Sequence, residues 1–382
     1  MKFIKTALLA AGIAAFASQA QAQVTVVPEN DKGFSLSLIG RTNIDAGTYF
    51  EDHMGSDNLM HTDNGVMVND TRLGVKGKFT DKWEYKIEIC FASKAISFRD
   101  VYVKYNFNKS NHIQIGNFFM PFGMKQLGLA YKFDEDATVD YAFCPSRKIG
   151  AAYLFNNDRF NLVGGIFSDG NVDNGNKYTA DANNVNAGLN LAAKGIVRPV
   201  VNDESNIILH LGFGGLYTDS RNAGSFSAIT PNTFAPRTLM TQKFNAPSYS
   251  RMEAEMIFIA KKFMLETHYQ QAGADERGKD DRTIVNGVLA QASYLLIGEK
   301  QNYNKATGLC QNASKGNLEF LVRYDNLDFG DTGNQQDVTI GLNYFVNKHF
   351  NVKLNYANCG IALGNQPHDY YNMIQARLQF SF

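Results

Sequence analysis

Hydrophobic and polar residues alternate one by one along most of this chain. In the final stretch Ile374, Ala376, Leu378, Phe380 and Phe382 are interleaved with Gln375, Arg377, Gln379 and Ser381. A period of two puts the two sets on opposite faces of a β-strand. The first long run reads the same way, with Phe34, Leu36, Leu38, Ile44, Ala46 and Phe50 opposing Ser35, Ser37, Arg41, Asn43 and Asp45. Leu73 and Val75 then oppose Asp70, Arg72, Lys76 and Lys78, and Trp83, Tyr85, Ile87 and Ile89 oppose Glu84, Lys86 and Glu88. Val101, Val103 and Tyr105 oppose Asp100 and Lys104, while Met252, Ala254 and Met256 oppose Arg251, Glu253 and Glu255. Farther on, Leu318, Phe320, Val322 and Tyr324 oppose Glu319, Arg323 and Asp325, and Val352 and Leu354 oppose Lys353. The spacing predicts sixteen strands, near 33–50, 66–79, 83–92, 95–107, 111–119, 148–156, 159–168, 184–195, 206–218, 249–260, 263–271, 283–297, 316–326, 336–346, 350–358 and 370–382.

A soluble β-sandwich alternates too, but two features favour a barrel in a membrane. The polar face carries full charges in mid-strand, which a water-filled interior tolerates. Aromatics also collect at strand ends on the apolar face. Phe79 and Trp83 flank Thr80-Asp81-Lys82, Phe258 and Phe263 flank Lys261-Lys262, and Tyr344 and Phe350 flank Asn347-Lys348-His349. Such residues form the interfacial girdle of outer-membrane barrels. The fold expected is therefore all-β, a transmembrane antiparallel β-barrel of about sixteen strands, wide enough to hold an aqueous channel. An even strand number puts both termini on the periplasmic side, and short turns should alternate with long loops. Long connections fall near 51–65, 120–147, 169–183, 219–248 and 359–369. Two break the rule: 92–95 is short for an outer loop, and 298–315 is long for an inner turn.

Composition agrees with a lipid-facing wall rather than several soluble domains. Of 382 residues only 19% are charged, against about 25% in soluble chains, while 33 are Gly, 28 Phe and 18 Tyr. Lys plus Arg and Asp plus Glu balance at 37 each, so no basic field points to nucleic acid. Lys2 and Lys5, the apolar run Ala7 to Ala17, and Ala20-Gln21-Ala22 together read as a signal peptide over residues 1–22, cut before Gln23. Residues 23–382 then form one barrel domain exported to the bacterial outer membrane, with membrane lipid and lipopolysaccharide as neighbours. The mature formal charge is 35 − 37 = −2, because Lys2 and Lys5 leave with the signal segment.

The pattern points to a porin, an aqueous channel for passive diffusion of small hydrophilic solutes and ions. Parity makes Arg41, Arg72, Lys76, Lys78, Lys86, Lys104, Lys148, Arg251, Arg323, Lys353 and Arg377 the inward bases. The inward acids are Asp45, Asp70, Glu84, Glu88, Asp100, Glu253, Glu255, Glu266, Glu319 and Asp325. The two sets nearly cancel, and a field that concentrates anions needs an excess of one sign. Weak selectivity is therefore expected, with an anion- or phosphate-selective channel as the alternative. A barrel-embedded hydrolase or a non-conducting surface protein is a further alternative. None of the seven histidines sits in a nucleophile motif, so no catalytic residue is expected, and His268 beside Glu266 reads as a wall residue.

No metal or cofactor is expected either. Asp169-Gly170-Asn171-Val172-Asp173-Asn174-Gly175 begins like a calcium loop, but its glycine comes one place late and Ala180 replaces the closing Glu. Asp52-His53 with His61-Thr62-Asp63 reads as a solvated outer loop.

Several segments resemble the phosphate-selective porin O and P family of outer-membrane channels. They are Gly116-Asn117-Phe118-Phe119-Met120-Pro121-Phe122-Gly123, Ala292-Ser293-Tyr294-Leu295-Leu296-Ile297-Gly298-Glu299 with Tyr303 after it, Gly316-Asn317-Leu318-Glu319 leading to Arg323-Tyr324, Gly341-Leu342-Asn343-Tyr344, and Arg377-Leu378-Gln379. The resemblance implies a homotrimer of sixteen-stranded channels, with Phe382 as the terminal aromatic read during barrel assembly. It also implies that the long loop after Pro121-Phe122-Gly123 folds inward as a constriction. That loop offers Lys125, Lys132, Arg147 and Lys148, but also Asp134, Glu135, Asp136 and Asp140, where phosphate-specific members present lysines. Gln126 stands where many relatives carry an acid. With the loop inside, Cys90 and Cys144 are the one pair of the four cysteines that topology leaves able to join; a disulfide there would pin the loop to the wall, and four unpaired cysteines are the other reading.

Overall fold

The computed structural model describes residues 24–50, 64–92, 96–124, 132–133, 137–168, 188–219, 224–229, 238–280, 282–311 and 313–382. Sixteen strands in them form one closed antiparallel sheet. In chain order they are Ser35–Phe50, Asn64–Lys78, Trp83–Cys90, Ser97–Asn106, Asn111–Phe119, Arg147–Asn156, Phe160–Ser168, Leu189–Asn202, Ile207–Asp219, Ser248–Ala260, Phe263–Ala274, Thr283–Ile297, Leu318–Asp328, Gly333–Tyr344, Phe350–Leu363 and Asp369–Ser381. Each pairs with its neighbour in sequence, and the first joins the last, Arg41 opposite Ser381 and Phe50 opposite Asn372. Closure leaves no edge, so backbone groups are paired where lipid offers no hydrogen bonds.

The pleat sorts the side chains as the alternation predicts. Phe213 and Val66 point outward and are 67% and 62% exposed, as are Leu73, Phe320 and Tyr344 in smaller measure. Asp45, Glu319, Asp325 and Arg377 point inward and are buried. This polarity suits a wall with lipid outside. Short turns at 79–82, 107–110, 157–159, 203–206, 261–262 and 345–349 share the end that holds the terminus Phe382, which makes that end periplasmic. The signal segment expected over 1–22 lies outside the described residues. Val24–Val27, a β-branched run suited to a strand, pairs with Leu36–Leu38 on the edge that the last strand leaves unpaired beyond Arg41.

Bulges break strict alternation at four places in the barrel: beside Asn43-Ile44, between Leu295 and Ile297, between Ile87 and Ile89, and in the eighth strand. Ile87 faces Val101 and Ile89 faces Phe98, so Glu88 opposes both Arg99 and Asp100, and both reach the interior. In the eighth strand the register slips beside Arg198-Pro199, a place where proline's missing N–H costs the ladder nothing.

The interior is partly filled, and the filling explains the long inner connection. Within the connection after Ile297, Asn302–Asn304 and Leu309–Gln311 form a small hairpin that folds up into the barrel. Leu309 and Cys310 bury themselves against Ile208, Ile257, Ile259, Met264 and Met124. Ile257 and Ile259 are apolar on an inward face because this hairpin covers them. Gly308 turns at φ +74°, and a Cβ there would collide with Ile196. From the outer end, the segment after Phe119 enters with Met120, Phe122 and the short helix α1 (Thr138–Phe143). A hairpin within the loop after Asp219, Gly224–Ile229 with Thr238–Phe244, joins it. Val139 and Phe143 of α1 pack with Phe226, Met240 and Phe244 of that hairpin in one apolar cluster.

Candidate solute pathway

The inward segment is tied to one wall by ions as well as by apolar contact. Gly123 adopts φ +74°, where an added Cβ would strike Cys144 Sγ. That backbone presents the Gly123 N–H to Glu253 Oε2 at 2.6 Å and its carbonyl to Lys194 Nζ at 3.1 Å. Lys194 also meets Glu255 at 2.7 Å and Glu253 at 3.3 Å, and His210 bridges Glu255 and the Tyr303 hydroxyl. Lys132 is fully buried with its ammonium 2.6 Å from Glu319. Asn343 and Lys353 donate to the Lys132 carbonyl, and the Arg323 guanidinium lies 4.7 Å over the Phe133 ring.

Helix α1 has no capping side chain of its own. The wall supplies one: the Thr138 N–H donates to Asp325 Oδ1 at 2.9 Å, and the Thr138 hydroxyl donates to Asp337 at 2.5 Å. Two carboxylates thus meet the partial positive charge at the helix start. At its other end Arg251 donates to the Phe143 carbonyl at 2.7 Å. Asp140 lies 3.7 Å from His268, whose other nitrogen contacts Glu266 at 2.7 Å. Arg323 pairs with Asp325 at 3.2 Å on this wall, and Arg377 reaches across the closing seam to Asp45 of the first strand at 2.6 Å, with every partner nearly or wholly buried.

The wall built by the first six strands differs. Arg41 and Arg72 both clasp Asp70, at 2.7 and 2.8 Å, and Arg72 reaches Glu88 at 3.3 Å. Asp100 accepts from Lys86 at 2.6 Å and from Arg147 at 2.5 Å, and Lys104 meets Glu84 at 2.6 Å. Lys78 pairs with Glu29 at the periplasmic rim, 2.9 Å away. Asp70, Arg72 and Arg147 are nearly buried, but the pairs toward the periplasmic end keep contact with water: the Lys104 and Glu84 side chains are 25% and 35% exposed, against 0% for both Lys132 and Glu319. Lys76 stands directly opposite Lys86 and has no ion pair among the described residues. Lys148 lies half-buried on the inward face of the sixth strand.

Of the two readings of the cysteines, the structure shows the unbridged one. None of the four cysteines is in a disulfide, and Cys90 Sγ lies 3.4 Å from Asp70 while Cys144 Sγ lies 3.3 Å from Asp140. Each thiol is held by a different carboxylate, so the inward loop is anchored by ions and not by a covalent link. Lys125, Asp134, Glu135 and Asp136 lie outside the described residues, as do the calcium-like stretch 169–180 and the histidines at 53 and 61. Sequence reasoning passed over Arg99, which strict parity turns outward and the bulge turns in. It also passed over Lys194, Arg198, His210 and Asp337. Continuing the parity from Asn190 through Ala192, Lys194 and Ile196 to Arg198 would have found the first two of these.

The outer loops carry one further anchor. Glu276 accepts from Lys279 at 2.6 Å, from the Thr283 hydroxyl, and from the Asn245 N–H at 2.9 Å. The Lys279 ammonium, then the other two donors, hold its carboxyl down at about 2.

Comparison with solved structures returns outer-membrane channels. The anion-selective porin from Comamonas acidovorans superposes with a TM-score of 0.59 at 14% identity, over 91% of this chain and 100% of that one. A loop L8 deletion mutant of OmpT from Vibrio cholerae gives 0.61 at 12%, over 92% and 100%. The trimer form of in-vitro folded OmpT gives 0.57 at 13%, over 92% and 100%. At these identities the likeness concerns the fold. A search among curated proteins returns no match. The family model of phosphate-selective porin O and P matches residues 36–382, nearly the whole barrel. This inside-out, partly filled sixteen-stranded barrel is an outer-membrane porin, and the chain belongs to the phosphate-selective porin O and P family.

Proposed function

We propose that solutes cross beside the first six strands, and that this diffusion pore for small hydrophilic solutes leans modestly toward anions. The observation that carries the reading is the separation of charges into two walls. On strands one to six the inward or inward-bonded bases are Arg41, Arg72, Lys76, Lys78, Lys86, Arg99, Lys104, Arg147 and Lys148, nine in all. The acids there are Asp45, Asp70, Glu84, Glu88 and Asp100, five in all. Among the described residues of the other wall and the inward segment, Lys132, Lys194, Arg198, Arg251, Arg323, Lys353 and Arg377 meet Asp140, Glu253, Glu255, Glu266, Glu319, Asp325 and Asp337, seven against seven. Most of that second set is buried under the inward segment, so its charges act on protein rather than on solute. Arg72 and Arg147 are buried in ion pairs, but Lys76, Lys86, Lys104 and Lys148 stay partly in water, and a passing anion feels them.

Lys76 is the group best placed to meet a solute, because its cross-strand neighbour is another cation. Planar-bilayer recordings in a salt gradient test this. The wild type should give an anion-favouring reversal potential that Lys76→Gln moves toward zero. A cation-favouring wild type, or a potential unmoved by the substitution, defeats the reading.

The same reading includes removal of residues 1–22 during export, association as a homotrimer, and contact with lipid and lipopolysaccharide. It includes no chemical step, which accords with a fold and family that point to a channel. Native mass spectrometry of the purified protein tests the first two: a trimer of chains beginning at Gln23 is expected, and monomers or an intact leader would count against them.

A further inference from the structure

The periplasmic rim is not uniform. Under the first nine strands, the turns at 79–82, 107–110, 157–159 and 203–206 mix signs, and Lys305 reaches over to Asp203 at 2.7 Å and Asp158 at 3.8 Å. Under strands ten to fifteen, three connections carry Lys261, Lys262, Lys300, Lys315 and Lys348 against the single acid Glu299. None of these five lysines has an ion pair or side-chain hydrogen bond among the described residues, and all but half-buried Lys262 are exposed.

Hydrogen bonds hold the three connections together as one surface. Gln301 N donates to the Lys261 carbonyl at 2.8 Å, and Leu295 N to the Lys262 carbonyl at 3.1 Å, which sets Lys300 beside the first pair. Gly316 N donates to the Phe345 carbonyl at 2.6 Å, and Phe345 N to that of Asn317 at 3.0 Å, which sets Lys315 beside the turn of Lys348. A Cβ on Gly298 would touch the Asn317 side chain, so the two ends of the middle connection also meet.

The surface directly above is apolar and faces lipid. Tyr294, Ile297, Phe320, Tyr344 and Val346 point outward at the periplasmic ends of their strands and are 36–55% exposed. Aromatics at that level mark the boundary between acyl chains and headgroups. A lysine on the adjoining turn then holds its ammonium at the depth of the lipid phosphates, where each contributes about fivefold to attraction.

We infer that this rim is a docking surface for anionic phospholipid of the inner leaflet, its phosphates held by the five lysines and its acyl chains by the wall above. The inference rests on the outer-membrane orientation, which puts the short turns in the periplasm. Unpaired ammonium groups next to an exposed aromatic belt fit a diacyl lipid better than a soluble acidic polymer, which would have no use for the belt.

The test reconstitutes the full-length protein in lipid nanodiscs of phosphatidylethanolamine with about a fifth phosphatidylglycerol, and weighs the retained lipid by native mass spectrometry. The wild type should hold phosphatidylglycerol several-fold above its share of the bulk. The variant K261Q/K262Q/K300Q/K315Q/K348Q should return to the bulk ratio, while K82Q/K109Q, on the mixed-sign rim, should keep the enrichment. A heat-resistant barrel band and wild-type conductance show that each variant is folded. A bulk ratio in the wild type, or equal enrichment in the five-lysine variant, overturns the inference. So does loss of binding to isolated cell-wall sacculi with the lipid ratio unchanged. A preparation that conducts yet holds bulk lipid defeats the docking surface alone, whereas one that does not conduct defeats the channel itself.

Discussion

The two walls of this barrel carry similar residues and put them to different uses. On one, Lys132, Lys194 and Lys353 are buried against carboxylates and carbonyls, and they lock an inward segment in place. On the other, Lys76, Lys86 and Lys104 stay partly in water, and their acids are fewer. An ion pair taken out of water is costly to form and more costly to break, whereas an exposed pair contributes little. The same alternation of Lys and Glu therefore makes a structural clamp where the segment covers it and a polar path where it does not.

Breaking the clamp should have the largest effect. Glu319→Ala leaves the Lys132 ammonium buried without its partner, and should destabilise the barrel by about 3–5 kcal/mol in urea unfolding from vesicles. The double substitution Lys132→Met with Glu319→Leu should recover most of that loss, because apolar replacements of a buried pair are often neutral. If Glu319→Ala is as stable as the wild type, the clamp is not where the geometry puts it. Gly123→Ala comes next, at roughly 1–3 kcal/mol, because Ala is strained at positive φ and its Cβ meets Cys144. Lys76→Glu should change stability by less than about 1 kcal/mol. It relieves the cross-strand repulsion with Lys86, yet should cut any anion preference in the same bilayer recordings further than Lys76→Gln does. The smallest effect concerns Glu276 in an outer loop. Its carboxyl lies at about 2, below the ordinary 4.5, so its contribution is complete above the ordinary value and is lost as pH falls toward about 2. Thermal unfolding of Glu276→Gln should lose that acid dependence, by about 0.5 kcal/mol, since its lysine partner is exposed.

All sixteen strands were legible, because a closed wall between lipid and water enforces the period of two, although the eighth, read near 184–195, runs Leu189–Asn202, and the loop read near 359–369 is half strand. The interior filling was not. Leu309 and Cys310 lie in a connection whose apolar residues have no period, and Ile257 and Ile259 are apolar on the inward face only because Leu309 covers them. Arg99 was hidden by a bulge, which shifts parity without leaving a mark in composition. The near-cancellation of inward charge was legible as a sum, but a sum does not record that Glu253, Glu319 and Asp325 lie beneath the inward segment while Lys76 does not. Selectivity depends on that placement.

The most direct measurement of the two-wall account is lumen accessibility, since the native cysteines are buried. Lys76→Cys and Thr339→Cys put a thiol on the inward face of each wall, and an anionic methanethiosulfonate reagent is added during single-channel recording. The account predicts a stepwise fall in current for Lys76→Cys and none for Thr339→Cys, which stays covered. Block through Thr339→Cys with Lys76→Cys unreactive would place the path on the other wall and contradict it.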